Sequence, residues 1–254
     1  MVMIMISNEI EKLVSICASN LKNSDKHIKY LNNRGVTSEL IKRHNIGYFP
    51  QNISVLLKYL SKDSLMKYNV IDYSGYSDFC NYFNLIIPVY NEYGDAVGIS
   101  GRSLAGDGER RALNISKYKN SSYKKSGILF GLNLSKKDIL REKNVYVVEG
   151  YFDKLAIDGL GLKNSVAICG TAFSKMHFIK LIRYTNCITF MLDNDDAGIK
   201  SAVGIFSKFS NKGVKLRFLS LPEKYKDVDE YFNNGMKTKE DFFSDANIAI
   251  PGVW

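Results

Sequence analysis

Acidic side chains recur at the ends of apolar segments in the second half of the chain. Glu149 directly follows the apolar run Val145–Val148, and Asp193 and Asp195 directly follow Cys187–Leu192. Carboxylates that are brought together repel one another, so a bound cation is their natural compensation. Ligand sets made only of oxygen suit Mg²⁺ or Mn²⁺ rather than zinc. These three side chains are therefore a candidate catalytic and metal-binding set.

Two more acids, Asp227 and Asp229, follow the last predicted strand. The alternative explanation for any one of these acids is helix capping, since Asp is common at helix starts. Capping explains the set less well, because Glu149 and Asp193 would both lie at strand ends facing one cleft. Gly170 also follows a strand end, where a missing side chain would let a phosphate approach closely, although it could simply form a turn.

From Asn144 onward, short apolar segments alternate with helical patterns. The predicted strands are Val145–Val148, Ser165–Cys169, Cys187–Leu192 and Val214–Leu221. The predicted helices begin at about Phe152, cover Lys175–Tyr184 and Ala197–Phe209, and end with a short helix near Val228. Repeated β-α-β units of this kind predict a mostly parallel sheet between helices. Ligands gather at the carboxyl ends of the strands in such sheets, and the acids fall at those ends.

The first half of the chain has a different pattern. It is helical to about Tyr68, with Asn8 and Thr37 as candidate helix caps. Two strands are then predicted, over Leu85–Tyr90 and Ala96–Ser100. The predicted fold class is α/β, or α+β overall, divided into a smaller basic α+β subdomain over residues 1–143, a sheet domain over 144–235 and a short helical tail over 236–254.

Positive charge is concentrated just before the predicted sheet. The 254 residues carry a net charge of +9, and Gly101–Lys143 holds eleven Lys and Arg against four acids, a net charge of +7. This segment favours a polyanion-binding surface, although a charged run is more often a solvated face. Four isolated cysteines and three histidines give no zinc-ligand spacing, so no zinc is predicted. No apolar run approaches the ~20 residues that span a bilayer, so we expect no membrane contact and a cytoplasmic protein.

Three blocks together resemble the TOPRIM domain of bacterial DnaG-type primases, type IA and type II topoisomerases and some nucleases. They are Val147–Asp153, Cys169–Ala172 and Asp193–Gly198. A shared domain does not choose among those activities. Upstream blocks resemble the primase RNA-polymerase domain alone, and they are Tyr30–Thr37, Ile46–Pro50, Ile87–Tyr90, Gly101–Leu104, Lys117–Ser121 and Lys125–Leu132. The resemblance covers about Tyr30 to Tyr231 and implies an enzyme that makes short RNA primers on single-stranded DNA.

The resemblance also implies roles for individual residues. Glu149, Asp193 and Asp195 correspond to the core acids that bind Mg²⁺ or Mn²⁺, and Asp153, Asp227 and Asp229 to supporting acids. The basic residues that would hold template or nucleotide phosphates are Arg34, Arg102, Lys117 and Lys125. The implied partners are single-stranded DNA and ribonucleoside triphosphates.

The sequence also departs from the family pattern. The zinc-binding module and the helicase-binding region have no counterpart, which leaves open a replicative helicase or a separate zinc-binding subunit as partners. A minimal catalytic subunit, or a phage or mobile-element protein, fits that pattern. Asn194 replaces the usual Gly, and we expect it to be tolerated because Asn accepts left-handed backbone angles. The alternative functions are a Mg²⁺-dependent nuclease of the same class and a non-catalytic DNA-binding accessory factor.

Overall fold

The structure is a computed structural model that describes residues 2–170, 172–235 and 238–249. The chain divides into two compact units. The first comprises the residues through Asn33 together with Thr37–Lys124, and the second comprises Arg34–Val36 and the residues from Lys125 onward. The subdomain boundary near Lys143 stays a prediction. Within the described ranges, no helix is long and apolar enough to cross a bilayer.

The first unit is built on an antiparallel sheet covered by helices. Its strands are β1 (Gly47–Tyr48), β2 (Leu85–Tyr90), β3 (Ala96–Arg102) and β4 (Tyr118–Asn120), paired in that order. Its helices are α1 (Val2–Asn20), α2 (Asp25–Asn33), α3 (Ser38–Arg43), α4 (Ser54–Leu57), α5 (Lys62–Lys67), α6 (Asp78–Asn81) and α7 (Asp107–Ala112). The core contains buried Leu13, Phe49 and Ile99. The predicted hairpin is therefore confirmed, and Thr37 caps α3 by accepting from the Leu40 amide at 3.3 Å.

The second unit contains the predicted parallel sheet. After a 3₁₀ turn at Lys125–Gly127, its elements are α8 (Leu132–Glu142), β5 (Val145–Val148), α9 (Tyr151–Gly159), β6 (Ser165–Ala167), α10 (Lys175–Leu181), β7 (Cys187–Met191), α11 (Asp196–Phe209), β8 (Lys215–Ser220), α12 (Val228–Gly235), α13 (Lys239–Asp245) and β9 (Asn247–Ala249). The strand order is β6-β5-β7-β8-β9, in which β5 to β8 are parallel and β9 is antiparallel. The mixed α/β fold class predicted from the sequence is confirmed.

Strand register places the acids at one edge of this sheet. The strands β5 and β7 are almost entirely apolar because helices cover the sheet, and Phe178 of α10 stacks on Phe209 of α11 at 4.6 Å between ring centroids. Val148 pairs with Met191 in parallel register. Glu149 comes one residue after that pair on its strand, and Asp193 comes two residues after it on the neighbouring strand.

Some element boundaries differ from the predictions. The first helix begins at Val2 rather than after Asn8, and the strand predicted over Ser165–Cys169 ends at Ala167. Its early end follows from Cys169, whose φ of 50° is incompatible with an extended strand. The tail from residue 236 contains the helix α13 and the strand β9. Residues 236, 237 and 250–254 lie outside the described residues.

Candidate active site

Glu149 and Asp193 meet at the carboxyl ends of β5 and β7. Glu149 Oε1 accepts a hydrogen bond from the Asp193 backbone amide at 3.1 Å, so its side chain turns toward the neighbouring strand end. Burial raises the pKa of the Glu149 carboxyl, the charge of Asp195 raises it further, and the Asp193 amide and Lys226 act in the opposite direction. The predicted convergence of Glu149 and Asp193 therefore has a direct contact behind it.

Asp193 lies where the negative charge of the site is greatest. The pKa of Asp193 is raised to about 7, first by burial and then by the carboxylates of Glu149, Asp153, Asp227 and Asp195, in that order. The negative charges of all four acids therefore act on this one carboxyl. A cation at this position would relieve the repulsion that these shifts express.

The two carboxylate oxygens of Asp195 have different neighbours. Its Oδ1 caps α11, accepting from the amides of Ala197 at 3.1 Å and Gly198 at 3.0 Å. Its Oδ2 lies 3.9 Å from Lys226 Nζ, and both side chains are substantially exposed. Asp195 Oδ1 therefore caps the helix, as the alternative explanation predicted, and Oδ2 takes no part in the capping.

Gly198 lets the start of α11 lie directly against the Asp193 backbone. A β-carbon at position 198 would meet the Asp193 carbonyl oxygen at 2.1 Å, far inside any permitted contact. This glycine ends the Asp193–Gly198 block that resembles the TOPRIM domain, but the sequence alone predicted no role for it. The available signal was the cost of glycine inside a helix, which calls for a compensating reason.

Asp153 is a buried brace between helices. Its Oδ2 accepts from the Gly150 amide at 2.8 Å, and its Oδ1 accepts from the Asp229 amide at 3.1 Å. Burial raises its pKa to about 7, Asp227 and Glu149 raise it, and the Gly150 amide and Arg34 lower it. Because both oxygens receive backbone amides, this side chain fixes the starts of α9 and α12 relative to each other.

Asp227 and Asp229 differ in their surroundings. Asp227 Oδ1 accepts from the Glu230 amide at 2.8 Å at the start of α12. Asp229 is 5% exposed, forms an ion pair with Arg34 and accepts from Asn233 Nδ2 at 2.6 Å. Asp227 is therefore the better placed of the two to support the core acids, and the metal role predicted for both stays a prediction.

Arg34 belongs to the second unit through this ion pair. Its guanidinium also lies over the Phe152 ring, 4.5 Å from the centroid. These contacts tie the segment Arg34–Val36 to α9 and α12. They favour a bracing role beside the phosphate-binding role predicted from the sequence, which stays a prediction.

The explanation given for Asn194 is wrong. Asn194 is not among the described residues with positive φ, so left-handed backbone geometry is not why Asn stands there. Its side-chain Nδ2 donates to the carbonyls of Leu221 at 3.0 Å and Tyr225 at 2.9 Å. Its backbone amide donates to the Lys226 carbonyl at 2.7 Å. Asn194 thus fastens the loop that leads to Asp227 onto the segment between Asp193 and Asp195.

Lys125 lies near the same strand edge. Phe130 bridges Ala167 at the end of β6, which brings the turn at Lys125–Gly127 to that strand end. Burial raises the pKa of the Cys169 thiol, and the charge of Lys125 acts against that rise. Cys169 and Gly170 have φ of 50° and 75°, and the space beside the Gly170 α-carbon is open. The structure therefore provides room at the predicted phosphate-loop position, while Thr171 lies outside the described residues.

Arg102 and Lys117 lie in the first unit, around the end of β3. Arg102 is 6% exposed, and its guanidinium lies over the rings of Tyr30 at 5.5 Å and Tyr118 at 5.1 Å. Its Nη1 also donates to the Tyr118 hydroxyl. Lys117 is exposed next to Tyr118. The phosphate contacts predicted for both basic residues stay predictions.

The acidic edge fits a divalent cation bound partly through water. Across the part of the chain that the structure describes, no group of three or more His, Cys, Asp or Glu side chains forms a cage that could hold a metal ion. Mg²⁺ commonly uses one or two carboxylates together with water and substrate phosphates, so it does not need such a cage. The donor set consists of oxygens, and the pKa values of Asp193 and Glu149 are raised mainly by burial and then by neighbouring carboxylates.

Comparisons with known proteins show the family of the chain. The model of the N-terminal domain of the DNA primase catalytic core matches residues 16–136, and a Toprim-like model matches residues 146–232. A DNA primase of Lactococcus lactis is 30% identical over 238 residues, which is 91% of this chain and 37% of that protein. The chain belongs to the DNA primase family. It spans just over a third of that relative's length.

Solved structures of the primase family show the same architecture. The zinc-binding and RNA-polymerase domains of the Aquifex aeolicus primase superpose with a TM-score of 0.84 at 25% identity, covering 96% of this chain and 61% of that chain. A DnaG primase catalytic domain bound to single-stranded DNA gives a TM-score of 0.77 at 26% identity, covering 94% of this chain and 79% of that chain. The primase resemblance read from the sequence is confirmed, and the Toprim-like fold implies use of a divalent metal.

Proposed function

We propose that this chain makes short RNA primers on single-stranded DNA by Mg²⁺-dependent nucleotidyl transfer. The observation that carries the proposal is the placement of Glu149, Asp193 and Asp195 at one strand edge of a primase-family fold, with the Lys125 turn attached at the end of the neighbouring strand β6. The acids at the sheet edge would bind the metal ion, and Lys125 would bind the negatively charged triphosphate.

Glu149, Asp193 and Asp195 would hold the metal, with Asp227 in support. When bound, Mg²⁺ or Mn²⁺ supplies Lewis acidity, which favours ionisation of the attacking 3′-hydroxyl and stabilises the departing pyrophosphate. The chain keeps its own ligands in place through the Glu149–Asp193 hydrogen bond and the capping of α11 by Asp195. These fixed contacts limit the reorganisation needed when substrate arrives.

The basic residues would bind phosphates. Lys125, at the acidic edge, would take the triphosphate, while Lys117 and Arg102 in the first unit would take the template backbone. Contacts to phosphates carry no sequence information, so we expect weak intrinsic template preference. The proposed partners are single-stranded DNA and ribonucleoside triphosphates in the cytoplasm, with a helicase or a zinc-bearing subunit added by other proteins.

A product assay tests the proposal. The protein is incubated with end-labelled single-stranded DNA and Mg²⁺, with and without four ribonucleotides, and both DNA and RNA products are resolved by length. We expect short RNA products and intact DNA. Cleaved DNA without ribonucleotides would identify a nuclease instead, and DNA binding without RNA synthesis would identify an accessory factor.

Asp195→Asn separates metal binding from helix capping. Asparagine caps helices about as well as aspartate, so α11 should keep its start while the site loses one negative charge. We expect primer synthesis to fall by about 100-fold or more, because metal ligands stabilise charge in the transition state. Asp196→Asn, a change of the adjacent exposed acid, is the matched control and should retain normal synthesis. Equal rates for both variants would show that Asp195 does not serve the reaction.

A further inference from the structure

The turn that carries Lys125 is attached to the sheet domain at two points. Phe130 forms an isolated antiparallel bridge with Ala167 at the end of β6, with N–O distances of 2.9 and 3.1 Å. Ser174 Oγ, at the start of α10, donates to the Ser126 carbonyl at 2.7 Å. The second attachment acts on the residue directly after Lys125, so it controls the direction of the lysine backbone.

Ser174 is held in turn by His177. Ser174 Oγ accepts from the His177 amide at 3.0 Å, and the Ser174 amide lies 3.2 Å from His177 Nδ1. A backbone amide can only donate, so Nδ1 must accept and the neutral ring carries its proton on Nε2. The Ser174 hydroxyl therefore accepts from α10 and has its proton directed at Ser126.

The His177 ring lies beneath the Lys125 turn. The residue is completely buried, and the backbone groups of Lys125 and Ile128 act on its ring. Burial lowers the pKa of His177, the nearby Lys180 lowers it further, and those backbone groups act against the shift. The ring is therefore neutral near pH 7, the state in which Nδ1 can accept from Ser174.

We propose that Ser174 and His177 are positioning residues that hold the Lys125 turn at the end of β6, the strand next to β5, so that Lys125 binds the phosphates of the incoming nucleotide. This inference rests on the proposed function. A lysine side chain loses rotamer entropy on binding, so a fixed backbone reduces the entropy that phosphate binding must overcome. Neither residue would touch the nucleotide itself.

Kinetics of primer synthesis give the first test. With template saturating, Ser174→Ala should raise the KM for ribonucleotides about fivefold and leave kcat close to normal, the factor expected for one net hydrogen bond. Ser174→Thr keeps the hydroxyl and should restore the KM. Thr238→Ala removes the equivalent cap of α13, whose hydroxyl accepts from the Asp241 amide at 3.1 Å, and should leave the KM unchanged. An unchanged KM in Ser174→Ala would overturn the inference.

A double-mutant cycle shows whether the effect passes through Lys125. Ser174→Ala should have no further effect on KM in a Lys125→Ala background, because the group being positioned is then absent. Additive effects of the two substitutions would overturn the inference. For His177, Asn offers an oxygen near the position of Nδ1 and should preserve more affinity than Leu, which cannot accept from Ser174.

Amide hydrogen exchange gives a measurement that does not depend on activity. The Ile128 amide donates to the Lys125 carbonyl at 2.9 Å, and its exchange reports on the turn. Exchange across residues 125–130 should increase in Ser174→Ala and return to normal in Ser174→Thr. A wild-type protein that makes no primers would defeat the proposed function, whereas unchanged exchange in Ser174→Ala would defeat this inference while leaving primer synthesis intact.

Discussion

Two glycines in α11 stand in opposite environments. A β-carbon at Gly198 would collide with the Asp193 carbonyl oxygen, whereas a β-carbon at Gly204 would have nothing within 4 Å. The first glycine is required by the close approach of the helix to the acidic strand edge. The second has no packing reason in its surroundings and weakens the helix through backbone entropy.

This contrast gives a matched pair of predictions. Gly198→Ala must displace the Asp193 backbone or the start of α11, and misplacing a catalytic group by about 1 Å can cost about 100-fold in rate. We expect a loss of that order in primer synthesis. Gly204→Ala should keep normal synthesis and raise the free energy of unfolding by up to about 1 kcal/mol. Initial rates and thermal unfolding of both variants check this, and a normal rate in Gly198→Ala would contradict the placement of Asp193.

The sequence indicated which acids lie at the strand ends better than it indicated the contacts that they make. Strand ends and an acid-rich motif were enough to select Glu149, Asp193 and Asp195, because both features are local. The clamp formed by Asn194 was missed because its partners, Leu221 and Tyr225, lie 27 and 31 residues further along the chain. The bracing of Asp153 against Asp229 was missed for the same reason, across 76 residues.

Among the elements, α9 contains a fully buried ion pair. Lys154 and Asp158 lie one helical turn apart with both side chains at 0% exposure, and Ser165 Oγ lies 3.4 Å from the Asp158 carboxylate. A β-carbon at Gly131 would meet the Lys154 Cε at 2.5 Å, and the φ of 82° there also favours glycine. The buried Lys154–Asp158 ion pair therefore contacts the start of α8 through Gly131 and the strand β6 through Ser165.

Asp158→Asn should destabilise the protein strongly. It leaves the Lys154 charge buried without a counterion, and breaking a buried pair in this way costs about 3–5 kcal/mol. Asp138→Asn, which removes an i,i+3 partner 2.6 Å from the largely exposed Arg141 on α8, should cost far less. Chemical denaturation of the two variants measures the difference. Similar stability for both would show that the buried pair does not need its charge.

The elements that the sequence could not supply are those made by distant pairing. The strands β5 and β7 were predicted because each is an almost continuous apolar run before a helical pattern, and the more polar β8 because it continues the alternation of strands and helices. The strand β9 was not, because three residues carry little signal of their own and its antiparallel place beside β8 depends on tertiary pairing. The strand was predicted to extend beyond β6 because Ile168 and Cys169 are apolar, whereas the backbone turn begins at Cys169, one residue before Gly170.

At the scale of the whole molecule, the basic segment Gly101–Lys143 supplies charge to both compact units, because the division between them falls after Lys124. A single-stranded template bound by several of these residues would release counterions, and its affinity would fall steeply with salt. The boundary predicted near Lys143 was placed where the alternating strand and helix pattern starts, whereas the second compact unit already includes the residues from Lys125 onward.

The salt dependence gives a prediction for Lys117. Lys117→Ala should lower affinity for single-stranded DNA and reduce the slope of log K against log salt by about 0.7, the value for one phosphate contact on a single strand. Fluorescence anisotropy across a salt series measures both quantities. Lys212→Ala, at an exposed site after α11, should leave the slope unchanged. Identical slopes for the two variants would remove Lys117 from the template surface.

Divalent-cation binding tests the central claim most directly. Mn²⁺ bound to the protein can be counted by electron paramagnetic resonance in wild type and in Glu149→Gln, which keeps an oxygen to accept from the Asp193 amide and loses the charge. We expect Mn²⁺ to bind the wild type and its affinity to fall by at least about tenfold in the variant. Equal Mn²⁺ affinity in the two proteins would show that the acids at the ends of β5 and β7 do not share a metal ion.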